Sequence, residues 1–129
     1  MAVEINVETW EGLAREGQLG KAVVAYVKKY DWVTFVELQR RFETFMPVNG
    51  TWALTATDNT NLIFWAGMSQ EFMDLVEPLL REERIYYHPA QVLTYWIDGG
   101  TLNIPVAKSA RKYKTKRWVP VFLRTVPIK

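Results

Sequence analysis

Thr34 and Glu37 stand three residues apart at the head of an apolar stripe formed by Phe35, Leu38, Phe42 and Phe45, and that spacing commits the segment to a helix. In such a capping box, each of the two side chains satisfies a free backbone N–H of the first turn. Val33 and Leu38 occupy the two positions of a hydrophobic staple, while Gln39, Arg40, Arg41 and Glu43 fall on the other faces. Pro47 closes the segment, so a helix is predicted from Thr34 to about Phe45.

The flanking patterns are weaker. Val7 to Glu16 fits a short helix with Trp10 and Leu13 on one side, broken by Gly17 and Gly20. Lys21 to Tyr30 places Val23, Val24 and Val27 at helical spacing and leaves Lys21, Lys28 and Lys29 for water, although so short a Val-rich run also suits a strand. Thr51 to Ala56 and Leu62 to Ala66 flank an Asp/Asn turn and predict a β-hairpin, whose second run is apolar enough to be covered on both faces. Ser69 caps a further predicted helix to about Glu83, with Phe72, Val76, Leu79 and Leu80 inward and Pro78 expected to kink it or delay its start. Beyond Arg84, strands are predicted at Ile85 to Tyr87, Gln91 to Ile97 and Leu102 to Val106, the last two around an Asp98-Gly99-Gly100 hairpin turn. Trp118 to Leu123 is a candidate last strand.

With 129 residues, 49% of them hydrophobic and 14% aromatic, the chain suits one domain with one core, and no repeat or linker divides it. Met1 to Trp10 carries Glu4 and Glu8 and lacks the basic and apolar regions of a secretory signal. No apolar run is long enough for a membrane-spanning helix, and there is no Cys, so a cytoplasmic protein with no membrane association is expected. The residue inventory also argues against catalysis. His88 is the only histidine and lies beside a proline; without Cys, a zinc site would have to be built from carboxylates. Ser69 has no nucleophile-elbow context, Glu82 and Glu83 are adjacent and diverge on a helix, and no phosphate-loop glycine pattern occurs. A non-enzyme with no cofactor and no metal is therefore expected.

Charge gives the most direct pointer to a partner. The net charge of +2 hides a segregation: Lys108, Arg111, Lys112, Lys114, Lys116, Arg117, Arg124 and Lys129 are eight basic residues with no acidic one among them. The other 107 residues hold the remaining eight basic residues against all 14 acidic ones, a net −6. This divides the chain into a mildly acidic body, residues 1–107, and a basic C-terminal arm, residues 108–129. Within the arm, Lys108, Arg111, Lys112, Lys114, Lys116 and Arg117 offer charge to phosphates, and Tyr113 offers a ring for stacking on bases. Arg40 and Arg41 form a second basic pair on the capped helix, where an ordinary solvated surface is the competing account. Six tryptophans, at 10, 32, 52, 65, 96 and 118, belong either to the core or to an interface, including that of a homodimer.

The predicted order, namely a helix, a capped helix, a strand, a helix and then a strand pair around a Gly-rich turn, resembles that of winged-helix domains. Lys21 to Phe45 resembles the first two helices of that superfamily, Ser69 to Glu83 the third, and Arg84 to Val106 the wing. The passage from Leu79 to Gly100 is similar to the third-helix-to-wing transition of many such domains. The resemblance implies an α+β, winged-helix-like fold with three to four helices and a small antiparallel sheet. It also implies a binding protein: either a DNA-binding accessory factor of transcription or genome maintenance, or a protein-interaction module. Third helices of this superfamily commonly enter the major groove, but here that segment carries Glu71, Asp74, Glu77, Glu82 and Glu83 against Arg81 alone. Such a face repels phosphate, which shifts the expected DNA contacts to the arm and the wing.

Overall fold

The computed structural model describes residues 8–109 and 112–128 and has a mixed α+β architecture. In chain order the elements are α1 (Thr9–Arg15), α2 (Leu19–Tyr30), α3 (Phe35–Phe42), β1 (Asn49–Thr55), β2 (Leu62–Met68), α4 (Gln70–Arg81), β3 (Tyr86–Pro89), α5 (Val92–Asp98), β4 (Arg117–Trp118) and β5 (Val121–Arg124). Among the described residues these make five helices, not three to four. None of them is long and apolar enough to cross a membrane.

The helical alternative holds for α2, because Ala22, Val23, Tyr26 and Val27 recur one turn apart and are all buried. Trp10 of α1 closes over them, its ring edge-on to Tyr26 at 5.0 Å and 5.4 Å from Phe42. Glu8, just ahead of α1, ties this layer to the end of α2 by accepting from Lys29 and, at 2.5 Å, from the Tyr30 hydroxyl. Those bonds hold its carboxyl down at about 2 from an ordinary 4.5.

In α3 the capping box is half made. Thr34 Oγ1 accepts the Glu37 N–H at 3.1 Å, but the Glu37 carboxylate accepts the Tyr26 hydroxyl at 2.5 Å instead of turning back to Thr34. Packing against α2 offers that carboxylate a stronger partner than the backbone does. Thr34 in turn donates to Asp98 Oδ2 at 2.6 Å. Gln39, expected on a polar face, is buried. It is satisfied there by donating to the Val48 carbonyl at 3.0 Å and accepting from Trp65 Nε1 at 2.9 Å.

The hairpin of β1 and β2 forms as expected, antiparallel, with an Asx turn in which Asn59 Oδ1 accepts the Asn61 N–H at 3.0 Å. β2 is central because β4 joins its other edge in parallel, so this sheet is mixed where a purely antiparallel one was expected. The Val119-Pro120 step splits the last predicted strand in two: β4 serves this sheet and β5 pairs antiparallel with β3 in a second. Val33 bridges the free edge of β5 through reciprocal bonds with Leu123. Ser69 caps α4 by accepting the Phe72 N–H at 2.9 Å, and the helix runs on through Pro78.

The wing is the main correction. Of Gln91 to Ile97, read as a strand, Gln91 is the N-cap and the rest lies in α5, and Leu102 to Val106 contributes only an isolated bridge from Val106 to Trp118. Gly99 is not the bend of a hairpin but the left-handed cap of a helix, at φ 97°, with Gly99 N–H on the Trp96 carbonyl and Gly100 N–H on that of Tyr95. The β-branched and aromatic composition of this stretch is overridden by Tyr95. Its buried hydroxyl donates to the Val121 carbonyl at 2.6 Å and accepts the Phe35 N–H at 3.3 Å.

Two outcomes follow. Thr34→Ala should lower unfolding free energy in urea by about 1–2 kcal/mol, and Thr34→Ser should restore most of it, since the hydroxyl both caps and donates. Glu8 gains its stabilising bonds as a carboxylate, so its contribution is complete above pH 4.5 and is lost as pH falls toward about 2. Acid unfolding of Glu8→Gln should lack that component.

Candidate nucleic-acid interface

The described parts of the basic segment, residues 108–109 and 112–117, are tied together at their base. At its base, Ala107 N–H donates to the Trp118 carbonyl and Trp118 N–H to that of Pro105, both at 2.8 Å, while Arg117 N–H donates to the Asn61 carbonyl at 2.7 Å. Tyr113 organises the interior. Its hydroxyl accepts the Lys108 and Ser109 N–H groups at 2.8 and 3.1 Å, and its carbonyl accepts Asn61 Nδ2 at 3.0 Å. The Arg117 guanidinium lies 5.1 Å from its ring centre. Tyr113 is buried, so the ring expected to stack on bases instead fills the loop.

Around this anchor Lys108, Lys112, Lys114 and Lys116 are exposed, and no salt bridge involves them among the described residues. Arg117 is half-buried, and its Nε is buried without a hydrogen-bond partner among the described residues. Arg111 and Lys129 lie outside the described residues. Arg124 does not belong with the loop. It makes a two-pronged pair with Asp31 at 2.8 and 2.9 Å and stacks 3.8 Å from the Trp32 ring centre.

Arg40 and Arg41 are exposed on α3 and likewise lack a carboxylate partner among the described residues. Arg40 donates to the Asp98 carbonyl at 2.8 Å and Arg41 Nε to the Tyr26 hydroxyl at 3.3 Å. They are not brought to the lysine loop. The adjacent Gln39 reaches the Gly67 carbonyl near one end of β2, whereas Arg117 pairs with Leu62 at the other, on the order of 15 Å along the strand. Glu71 and Asp74 on α4 and Glu82 and Glu83 just after it are exposed, and Arg81 is paired with Glu77 at 2.8 Å, so that surface is acidic in the fold as in the sequence.

Other candidate groups are engaged structurally. His88 is buried and its Nε2 donates to the Val126 carbonyl at 2.6 Å, while the Ser69 hydroxyl donates to the Pro47 carbonyl at 2.8 Å. Among the described residues no group of three or more His, Asp or Glu stands where it could hold a metal ion. The tryptophans divide evenly: Trp10, Trp65 and Trp118 are core, Trp32, Trp52 and Trp96 exposed. Sequence reading missed Asn61 as the loop's tether and the outward face of α5. Only the latter left a signal, the spacing of Leu93, Trp96 and Ile97. No known protein family, characterised protein or solved structure matches this chain.

If Tyr113 holds the loop, Tyr113→Phe should speed amide hydrogen exchange at Lys108 and Ser109 by roughly tenfold, the worth of one lost hydrogen bond, while Trp118 stays protected. Unchanged exchange at the two amides would show that the loop is held by other means.

Proposed function

We propose that this protein binds DNA without catalysing a reaction and that the loop from Lys108 to Arg117 makes the principal phosphate contacts. The observation that carries the reading is the loop itself: four exposed lysines, none ion-paired among the described residues, on a backbone fixed by Tyr113 and Asn61. Unpaired cations beside backbone tethered by Tyr113 and Asn61 need not give up an existing partner to meet phosphate. On the winged-helix resemblance, α2, α3 and α4 would be the three helices of that superfamily. In this reading the lysine loop does the wing's work and acidic α4 stays out of the groove. Arg40 and Arg41 stand too far along β2 to extend the same contact and supply at most a second one.

The test is the salt dependence of duplex binding, followed by fluorescence anisotropy. Each phosphate contact contributes roughly 0.9 to the slope of log affinity against log salt. Replacing Lys108, Lys112, Lys114 and Lys116 with Ala should flatten the slope by up to about four contacts and weaken binding at about 50 mM salt, whereas neutralising Glu71 and Asp74 should not weaken it. An unchanged slope in the four-fold variant would make the loop a bystander. A parent protein that binds neither duplex nor single-stranded DNA would defeat the reading and leave a protein partner as the alternative.

A further inference from the structure

Side chains meet nucleic acid in different ways, and the fold sorts those of the basic segment accordingly. A guanidinium fork reads guanine and an amide reads adenine through paired hydrogen bonds, while an aromatic ring stacks on an unpaired base. A lysine ammonium is a point charge that meets the phosphates of any sequence. Among the described residues, the groups able to read or stack are turned inward. Tyr113 is 7% exposed, and its hydroxyl is taken by the Lys108 and Ser109 N–H groups. Arg117 lies half-buried against the Tyr113 ring, with its Nε out of reach of solvent. The segment's other described arginine, Arg124, gives both prongs of its fork to Asp31 at 2.8 and 2.9 Å. Asn61 spends its amide Nδ2 on the Tyr113 carbonyl at 3.0 Å. Lys108, Lys112, Lys114 and Lys116 remain outside, with Ser109 and Thr115, whose hydroxyls distinguish one base from another poorly.

On the DNA-binding reading, on which this step rests, we infer that the ligand of the loop is the phosphate backbone of double-stranded DNA of any sequence. With Tyr113 filling the loop, a single strand finds no ring on which to stack its bases, and it offers the lysines a lower charge density than a duplex does. With the Arg117 and Arg124 forks and the Asn61 amide engaged inside the fold, no base pair is held better than another. The acidic surface of α4 supplies no recognition helix to make up the difference.

Two measurements on the full chain test this. Repeated selection of bound duplexes from a pool with a randomised centre should enrich no sequence, and selected duplexes should bind within about threefold of the starting pool, less than the roughly tenfold that one paired base contact gives. In fluorescence anisotropy at about 50 mM salt, a single strand should bind more weakly than the duplex of the same sequence, with a salt slope lower in the ratio of about 0.7 to 0.9. An enriched sequence bound tenfold tighter than the pool, or a single strand bound as tightly as its duplex, overturns the inference and leaves DNA binding standing. A protein that retains neither duplex nor single strand overturns it together with the proposed function.

Discussion

The buried hydroxyl of Tyr95 joins three parts of the chain at one point: the first turn of α3, strand β5 and helix α5. It accepts the otherwise free Phe35 N–H and donates to the Val121 carbonyl. Leaving either backbone group unsatisfied in the core would cost about 1–3 kcal/mol. Burial pushes the phenol pKa well above its ordinary value, so the proton it donates stays in place at any physiological pH. Around it, the rings of Trp65 on β2 and Trp118 on β4 each lie 5.1 Å away and 5.9 Å from one another. The second clamp on the same junction is Thr34, which caps α3 and holds Asp98 at the end of α5.

From that junction the two surfaces of interest follow. With Tyr95 turned inward, the helical period obliges Leu93, Trp96 and Ile97 to point outward. Gly99 then turns the chain back past α3, and the long return to Trp118 leaves the lysines on a loop closed by the Pro105–Ala107 bonds to Trp118. Charge segregation in the sequence becomes spatial segregation: lysines at the Leu62 end of β2, acids on α4, and an uncharged apolar face on α5.

Where the hydrophobic period and cap chemistry agreed, the sequence was readable: α3 from its Thr34 cap, α4 from Ser69, and the β1–β2 hairpin from its Asp/Asn turn. The failures share a physical cause, which is a long-range partner outcompeting a local one. Glu37 abandons its capping role for Tyr26, Gln39 is drawn inward by Trp65 and Val48, and the strand-forming stretch Gln91 to Ile97 coils because Tyr95 finds its partners in α3 and β5. A glycine pair marks a helix cap and a hairpin turn equally well, so the Asp98-Gly99-Gly100 signal was ambiguous until its surroundings were known. The lysines of the candidate site were legible from charge alone. The burial of Tyr113, and the removal of Arg124 to an ion pair with Asp31, were not.

In the proposed function DNA meets the lysine loop and not α4. Amide chemical shifts of the labelled protein, followed as a short duplex is added at low salt, test this directly. Perturbations should concentrate between Lys108 and Arg117 and at Asn61, with α4 unmoved. Perturbations centred on α4, or none anywhere, would contradict it.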